Sequence, residues 1–257
     1  MTSSRSRRLR RRYLGGNEFG FSPTDIAGLT LWLKGDAGTY QGVSALAEAD
    51  GDPVARWDDQ SGAAWSARQD TEANKPVLKT GANGINGRNV VRYDGVNDYH
   101  TGDILPSLDS FTMFIVRRRN GSPTGYSHIF ALGFTDFTTT GTQFAQVYAP
   151  SGGVLKANFD TAALDLDALA NLNTTAGQDA IRKDNSGGGT SALWLDTSAQ
   201  DTGTGNQAIA SNPAFLGGWN SNHFQGDIGE IIIYDTALTD ENRQRVESYL
   251  RSRWGTP

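Results

Sequence analysis

The C-terminal segment 224–257 constrains the fold most, because it combines one buried strand with one amphipathic helix. Three consecutive isoleucines at 231–233 are typical of a strand that is covered on both faces. Thr239 occupies the N-cap position of the predicted helix, and Gly255 follows its last turn as a stop signal. The apolar face of this helix consists of residues at helical spacing, which are Val246, Tyr249 and Leu250.

Upstream of this segment, short apolar runs alternate with turns rich in Gly, Asn, Asp and Ser. The 31 glycines of the chain suit an all-β protein with many turns. The absence of a repeat at a fixed period argues against a propeller or a solenoid. The pattern therefore predicts an antiparallel jelly-roll sandwich of two sheets. The predicted strands are Leu29–Leu33, Val54–Trp57, Asn89–Tyr93, Phe111–Arg117, His128–Leu132, Gln143–Tyr148, Val154–Phe159, Ala192–Asp196, Ala214–Gly217 and Ile228–Tyr234.

Four motifs in a fixed order resemble those of a known family. They are LTLWL at 29–33, WDDQSG at 57–62, the run from Gly84 to Tyr99 with its NG and DG turns, and the C-terminal segment ending in RWG at 253–255. Together they resemble the concanavalin A-like (laminin G-like) lectin and glucanase domains of bacteria and phages. The resemblance implies a concanavalin A-like jelly-roll β-sandwich with a C-terminal α-helix. It implies much less about function, because this fold carries many functions.

Charge divides the chain into a basic arm, residues 1–23, and an acidic domain, residues 24–257. Residues 1–20 hold six arginines against Glu18 alone, a net charge of +5, whereas the whole chain is at −5. The extended arm lacks the apolar run of a secretory signal, so we expect no export by that route. Its expected partner-binding residues are Arg5, Arg7, Arg8, Leu9, Arg10, Arg11, Arg12, Tyr13 and Leu14.

Three partners are consistent with such an arm: nucleic acid, an acidic membrane surface, or an acidic protein surface. The interleaved Leu9, Tyr13 and Leu14 offer apolar anchors that phosphate binding does not require. We therefore favour docking onto a protein, and we expect neither nucleic-acid binding nor membrane insertion.

Catalytic motifs are sparse, and the sequence predicts a protein that is not an enzyme. The chain has no cysteine, no Gly-x-Ser-x-Gly elbow, and three histidines at unrelated positions. The glucanase relatives carry a Glu-x-Asp-x-Glu strand, which this chain lacks. Asp165 and Asp167 would share the face of a strand, whereas Asp227 and Glu230 would face opposite sides of a regular strand.

Two candidate binding sites remain. Asp94, Asn97 and Asp98 lie on one tight turn and offer oxygen ligands to calcium, although such residues also cap their own turns. The other candidate is a glycan site at Trp219, Asn220, Asn222 and His223, where an aromatic ring stands beside hydrogen-bonding groups. Further candidates for exposed aromatic residues are Trp65, Tyr126 and Tyr148.

We expect a non-enzymatic phage virion structural protein, either a capsid decoration, a tail component or a fibre component. The protein would assemble in the host cytoplasm, leave by lysis, and bind other virion proteins through its arm. Its sandwich would either adhere to host-surface glycans or only reinforce the shell, and self-association stays open. The alternatives are a bacterial cell-surface carbohydrate-binding lectin and a glycoside hydrolase of the glucanase type.

Overall fold

The structure, a computed structural model, is all-β with one C-terminal helix, as the sequence predicts. It describes residues 20–121, 127–133, 144–148, 154–159, 164–171, 174–187, 189–204, 208–219 and 221–257. Within the described residues, no helix has the length and apolar composition needed to cross a bilayer. The residues Arg5 to Leu14 of the predicted arm lie outside the described residues.

Two antiparallel sheets form the body. In chain order the strands are β1 Leu29–Lys34, β2 Thr39–Tyr40, β3 Arg56–Asp58, β4 Ser66–Arg68, β5 Val77–Lys79, β6 Val90–Asp94, β7 His100–Ile104, β8 Phe111–Arg119, β9 Ser127–Leu132, β10 Phe144–Tyr148, β11 Val154–Phe159, β12 Leu164–Asn171, β13 Gly177–Lys183, β14 Ser191–Leu195, β15 Ser198–Gly203, β16 Pro213–Leu216, β17 Gly218–Trp219, β18 Asn222–His223 and β19 Gln225–Tyr234. Sheet 1 has the strand order β15-β14-β13-β8-β19-β6-β5, with β1 also pairing with β19, and sheet 2 has the order β12-β11-β10-β9-β16-β7-β4-β3-β2. The short β17–β18 hairpin joins sheet 2 through β9.

The main core fills the space between the two sheets. Alternate residues of the central strands β8 and β19 point into it, including Ile115 and Ile231, and Trp57 of β3 meets them fully buried from sheet 2. The other residues of the same strands, such as Phe114 and Ile232, are buried on the outer face of sheet 1. These two strands are therefore apolar on both faces, as the isoleucine block predicts.

The C-terminal helix α1, Asp240–Trp254, covers that outer face. The side chain of Thr239 accepts a hydrogen bond from the N–H of Asn242, and Gly255 ends the helix in the left-handed conformation at φ 65°. Val246, Leu250 and Trp254 are buried against sheet 1. The predicted cap, stop signal and apolar face are thus confirmed, with Trp254 as an additional buried anchor.

A bulge in β19 changes which residues share a face. The register of β19 against β8 shifts between Ile228 and Glu230, so one extra residue, Gly229, enters the strand. Asp227 lies opposite Arg118, and Glu230 lies opposite Val116, two positions away on the same face of β8. The expectation that Asp227 and Glu230 face opposite sides is therefore wrong.

The sequence pattern does not predict several strands, because pairing with strands that are distant in the sequence stabilises them. Ser198–Gly203, which is not among the predicted strands, forms β15 on the edge of sheet 1, where Asp201 pairs with Leu193. The polar β13 was not predicted, although Gln178 and Asp179 are buried in it. Tertiary context decides such cases because intrinsic β-propensity is weak.

The beginning of the described chain packs on the sandwich. Pro23 is buried, and its carbonyl oxygen accepts a hydrogen bond of 2.9 Å from the hydroxyl of Tyr234. Phe21 contacts Tyr249 of α1 edge to face at 6.1 Å. The division into an arm of residues 1–23 and a domain of residues 24–257 stays a prediction.

Candidate functional site

The turn between β6 and β7 holds the predicted calcium ligands. Oδ1 of Asp94 accepts the backbone N–H groups of Val96 at 2.7 Å, Asn97 at 3.1 Å and Asp98 at 3.3 Å. Oδ2 of Asp98 accepts the N–H of Asp94 at 2.9 Å in return. Gly95 adopts φ 80°, which the tight turn requires. The carboxylates therefore brace their own turn.

The side chains of this turn are not arranged as a metal site. The amide of Asn97 donates to the carbonyl oxygen of Ala73 at 2.9 Å and to Oδ1 of Asn74 at 3.0 Å. In the part of the chain that the structure describes, no three His, Cys, Asp or Glu side chains are grouped as metal ligands. Calcium at Asp94, Asn97 and Asp98 stays a prediction.

Burial changes the protonation of Asp98. Its side chain is only 6% exposed, and desolvation, followed by the charge of Asp94, raises its pKa from 3.8 to about 7. Near neutral pH a fraction of Asp98 is therefore a neutral carboxylic acid, which both donates and accepts hydrogen bonds.

The β17–β18 hairpin packs on this turn and brings the two predicted sites together. Nδ1 of His223 donates to the carbonyl oxygen of Asp98 at 3.2 Å, across 125 residues of sequence. The ring of His223 also lies 6.3 Å from that of Tyr99, with the planes tilted by 47°. The predicted glycan residues Asn222 and His223 thus lie beside the predicted calcium turn.

A second histidine completes this region. His223 pairs in parallel register with His128 of β9, and His128 is 7% exposed. Burial lowers the pKa of His128 from 6.5 to about 4; the charge of His223 acts in the same direction, and a backbone hydrogen bond with Asn222 acts in the opposite one. His128 is therefore neutral at physiological pH. We call the set Asp98, Tyr99, His128, Asn222 and His223 the rim cluster.

Two glycines and a buried pair of rings support the hairpin from below. A Cβ atom at Gly217 would lie 1.9 Å from Cδ1 of Tyr93, and one at Gly218 would lie 2.4 Å from Nδ1 of His223. The hydroxyl of Tyr93 donates to Nδ1 of His100 at 2.9 Å, and Nε2 of His100 donates to the carbonyl oxygen of Val54 at 2.9 Å. This chain of hydrogen bonds crosses the sandwich beneath the rim cluster.

Of the remaining glycan-site and aromatic candidates, only Trp65 has a described side chain. Trp219 lies in β17, but its side chain is outside the described structure, as are all of Asn220 and Tyr126 and the side chain of Tyr148. Trp65 is 5% exposed, and its Nε1 donates to the carbonyl oxygen of Asp103 at 2.6 Å. Trp65 is therefore a core residue, and its interpretation as an exposed sugar contact is wrong.

The structure also locates the two acidic pairs that the sequence suggests as candidates for glycoside hydrolysis. Asp165 and Asp167 lie two positions apart in β12, as predicted, and their side chains are outside the described structure. Asp227 and Glu230 are fully buried and engaged in separate ion pairs with arginines. Both of these carboxylates are structural, and neither is open to a substrate.

The sequence does not indicate that His128 lies beside His223. Its strand was predicted, but nothing near His128 in the sequence indicates a polar rim, and His223 lies 95 positions away. The pairing of β9 with β18 creates the contact. A local signal exists only for the hairpin, where two successive glycines, Gly217 and Gly218, precede an aromatic residue and polar residues.

The chain matches no protein-family model and no curated protein sequence. Its fold is similar to that of Trypanosoma rangeli sialidase, with 13% identity and a TM-score of 0.57 over 86% of this chain and 33% of that one. It is also similar to domain 4 of AbnA, a GH43 extracellular arabinanase from Geobacillus stearothermophilus, in complex with arabinotriose. There the identity is 17% and the TM-score 0.55, over 86% of this chain and 97% of that chain.

These neighbours confirm the jelly-roll, lectin-like sandwich and do not support a phage type. The chain spans about a third of the length of the sialidase chains that it matches. The expectation of a non-enzymatic protein is wrong, because proteins that share this fold include sialidases and an arabinanase, which are enzymes. That expectation rested on the missing Glu-x-Asp-x-Glu strand and on the absence of cysteine, of a nucleophile elbow and of grouped histidines, and each of these features bears on one catalytic arrangement alone.

Proposed function

We propose that this chain is a carbohydrate-binding β-sandwich domain that contacts sugar through its rim cluster. The observation that carries the proposal is the contact between His223 and Asp98, which assembles two distant polar segments at one end of the sandwich. Sugar recognition needs several convergent hydrogen-bonding groups beside an aromatic surface. Tyr99, Asn222 and His223 are partly exposed and supply two rings and a side-chain amide to a sugar. Asp98 and His128 are nearly buried and form the polar floor beneath them.

The protonation of the rim cluster favours neutral sugar hydroxyls over ions. His128 is uncharged at neutral pH, and Asp98 is partly uncharged there. Neutral imidazole and carboxylic acid groups both donate and accept, as a hydroxyl group does. The complex of AbnA domain 4 with arabinotriose supports the proposal, because that chain is covered over 97% of its length.

The placement in a virion is a finer prediction that rests on the arm of residues 1–23. The neighbours come from a trypanosome and a bacterium and do not support it. Anchoring through Arg5 to Leu14, and release from the host by lysis, stay predictions of the sequence.

Isothermal titration calorimetry tests the proposal with arabinotriose, xylotriose and sialyllactose as probes. We expect saturable binding of at least one probe, and weakening of about tenfold in His223→Ala and in Asn222→Ala. Gln244→Ala is the matched control, since this exposed residue lies on α1. Failure of all three probes to bind, or equal binding by the His223 and Asn222 variants, contradicts the proposal. Mass spectrometry of the same mixtures shows whether a bound oligosaccharide is also cleaved.

A further inference from the structure

Two arginines on the outer face of sheet 1 hold one buried carboxylate between them. Asp227 of β19 is fully buried, and it lies opposite both Arg92 of β6 and Arg118 of β8. Arg92 donates to Asp227 from Nε at 2.6 Å and from Nη2 at 3.0 Å. Arg118 donates from Nε at 2.8 Å and also from Nη2. The amide of Asn120 donates to the same carboxylate at 2.8 Å.

The same arginines are fixed a second time by the backbone. Nη2 of Arg92 and Nη2 of Arg118 both donate to the carbonyl oxygen of Asn83, at 3.2 Å and 3.0 Å. Nε and Nη2 of each guanidinium are therefore engaged on the buried side. Both orientations are held before any ligand arrives, which lowers the entropy lost on binding.

The solvent side of the pair is open. The side chains of Arg92 and Arg118 are 31% and 23% exposed. Within the described part of the chain, neither Nη1 atom has a hydrogen-bond partner, and neither is among the buried polar atoms. Each Nη1 carries two N–H donors, so the pair presents four charged donors to solvent.

The charge at this place is unbalanced by one unit. Two guanidinium groups face one carboxylate, Asp227, which leaves a net charge of +1. The neighbouring Lys79 and Asp50 pair with one another at 3.3 Å and cancel. A monoanion on the solvent side restores neutrality, and Asp227 shows that a carboxylate bridges these two guanidiniums well. Charge-assisted bonds of this kind are the stronger hydrogen bonds in proteins.

We propose that Nη1 of Arg92 and Nη1 of Arg118 form a binding site for one carboxylate group of a ligand. The site lies on β6 two residues before Asp94, on sheet 1, whereas the proposed sugar contacts are made by the rim cluster. It goes beyond the proposed carbohydrate binding and does not depend on it.

Proton–nitrogen NMR of the full chain tests the site through the arginine Nε–H signals. We expect sodium acetate, compared with sodium chloride at equal ionic strength, to shift the signals of Arg92 and Arg118 saturably and to leave Arg56 unmoved. Arg56 is the matched reference, because it pairs with one carboxylate, Asp58, on the other sheet at 2.9 Å. Equal shifts at all three arginines, or no saturable shift, overturn the proposal.

Substitution by lysine separates binding from folding. Arg118→Lys keeps the charge that faces Asp227 but lacks a second nitrogen to face solvent. We expect it to weaken acetate binding about tenfold or more, with a melting temperature within a few degrees of the parent. Arg56→Lys should leave acetate binding unchanged. Unchanged binding in Arg118→Lys overturns the proposal, and if that variant does not fold, the parent titration decides by itself.

The source of the carboxylate is distinguished by further titrations with glucuronate and glucose. Tighter binding of glucuronate than of acetate assigns the site to an acidic sugar, and equal binding assigns it to the carboxylate alone. Both results support the site. A response to glucose equal to that to glucuronate overturns it, because recognition would then be independent of charge.

Discussion

Nε1 of Trp254 donates a hydrogen bond of 2.6 Å to Oε2 of Glu230, and this bond joins the last turn of α1 to the central strand β19. Oε1 of the same buried carboxylate accepts from the indole of Trp32 at 2.6 Å and from the hydroxyl of Tyr249 at 2.9 Å. The guanidinium of Arg253 pairs with Glu230 at 3.0 Å. Burial nevertheless raises the pKa of Glu230, whereas Arg253 and the three hydrogen-bond donors lower it. The charged form of this carboxylate therefore depends on all four partners.

Replacing Glu230 tests how much this arrangement contributes to stability. We expect Glu230→Gln to lower the free energy of unfolding by about 3 kcal/mol, because Arg253 loses its buried counter-charge and the new amide donor faces other donors. Urea denaturation followed by tryptophan fluorescence measures the change. Glu241→Gln, exposed in the first turn of α1, should cost about 0.5 kcal/mol as a control. A loss below about 1 kcal/mol for Glu230→Gln contradicts the argument.

The burial of His100 predicts that the folded protein loses stability in acid. Burial lowers its pKa from 6.5 to about 4, so the unfolded chain binds the proton more readily than the folded protein does. Stability from this group is complete above pH 6.5 and is lost as the pH falls through 4. We expect the stability advantage over His100→Gln to shrink by about 3 kcal/mol between pH 7 and pH 4. A constant difference across that range, measured by urea denaturation, would show that His100 does not titrate as proposed.

Substitution of Gly217 tests whether close packing at this glycine supports the rim cluster. Gly217 adopts φ 72°, and a Cβ atom there would meet the ring of Tyr93 at 1.9 Å. We expect Gly217→Ala to cost about 3 kcal/mol by thermal denaturation and to weaken oligosaccharide binding, since the hairpin must move. Gly42→Ala has open space for its methyl group and should change stability by less than about 0.5 kcal/mol. A Gly217 variant as stable as the Gly42 variant refutes the close contact.

Thr197 predicts a stabilising substitution. Asp196 and Thr197 connect β14 and β15 with φ angles of 49° and 68°, a conformation that β-branched residues rarely adopt. We expect Thr197→Gly to raise stability by about 1 kcal/mol, because strain relief exceeds the added entropy of the unfolded chain. The adjacent Ser198→Gly, within β15, should instead lower stability by about 0.5–1 kcal/mol. Calorimetric melting of both variants checks the signs, and destabilisation by Thr197→Gly would contradict the strain argument.

Local patterns in the sequence determined the fold class, the apolar central strands and the C-terminal helix. Thr239 and Gly255 limit the helix through contacts within one turn, and the block at 231–233 is apolar whichever strand it pairs with. Such features depend on hydrogen bonds and sterics between near neighbours, so they can be read without knowledge of the fold.

Only the tertiary structure decided where the polar residues meet. The contact of His223 with Asp98, the approach of His128, and the bulge that places Asp227 and Glu230 on one face all depend on strand pairing across long stretches of chain. Pairing of this kind is selected by the burial of the whole sandwich, because one inserted residue turns every later side chain to the other face. The spacing of residues in the sequence does not show which strands pair or in which register.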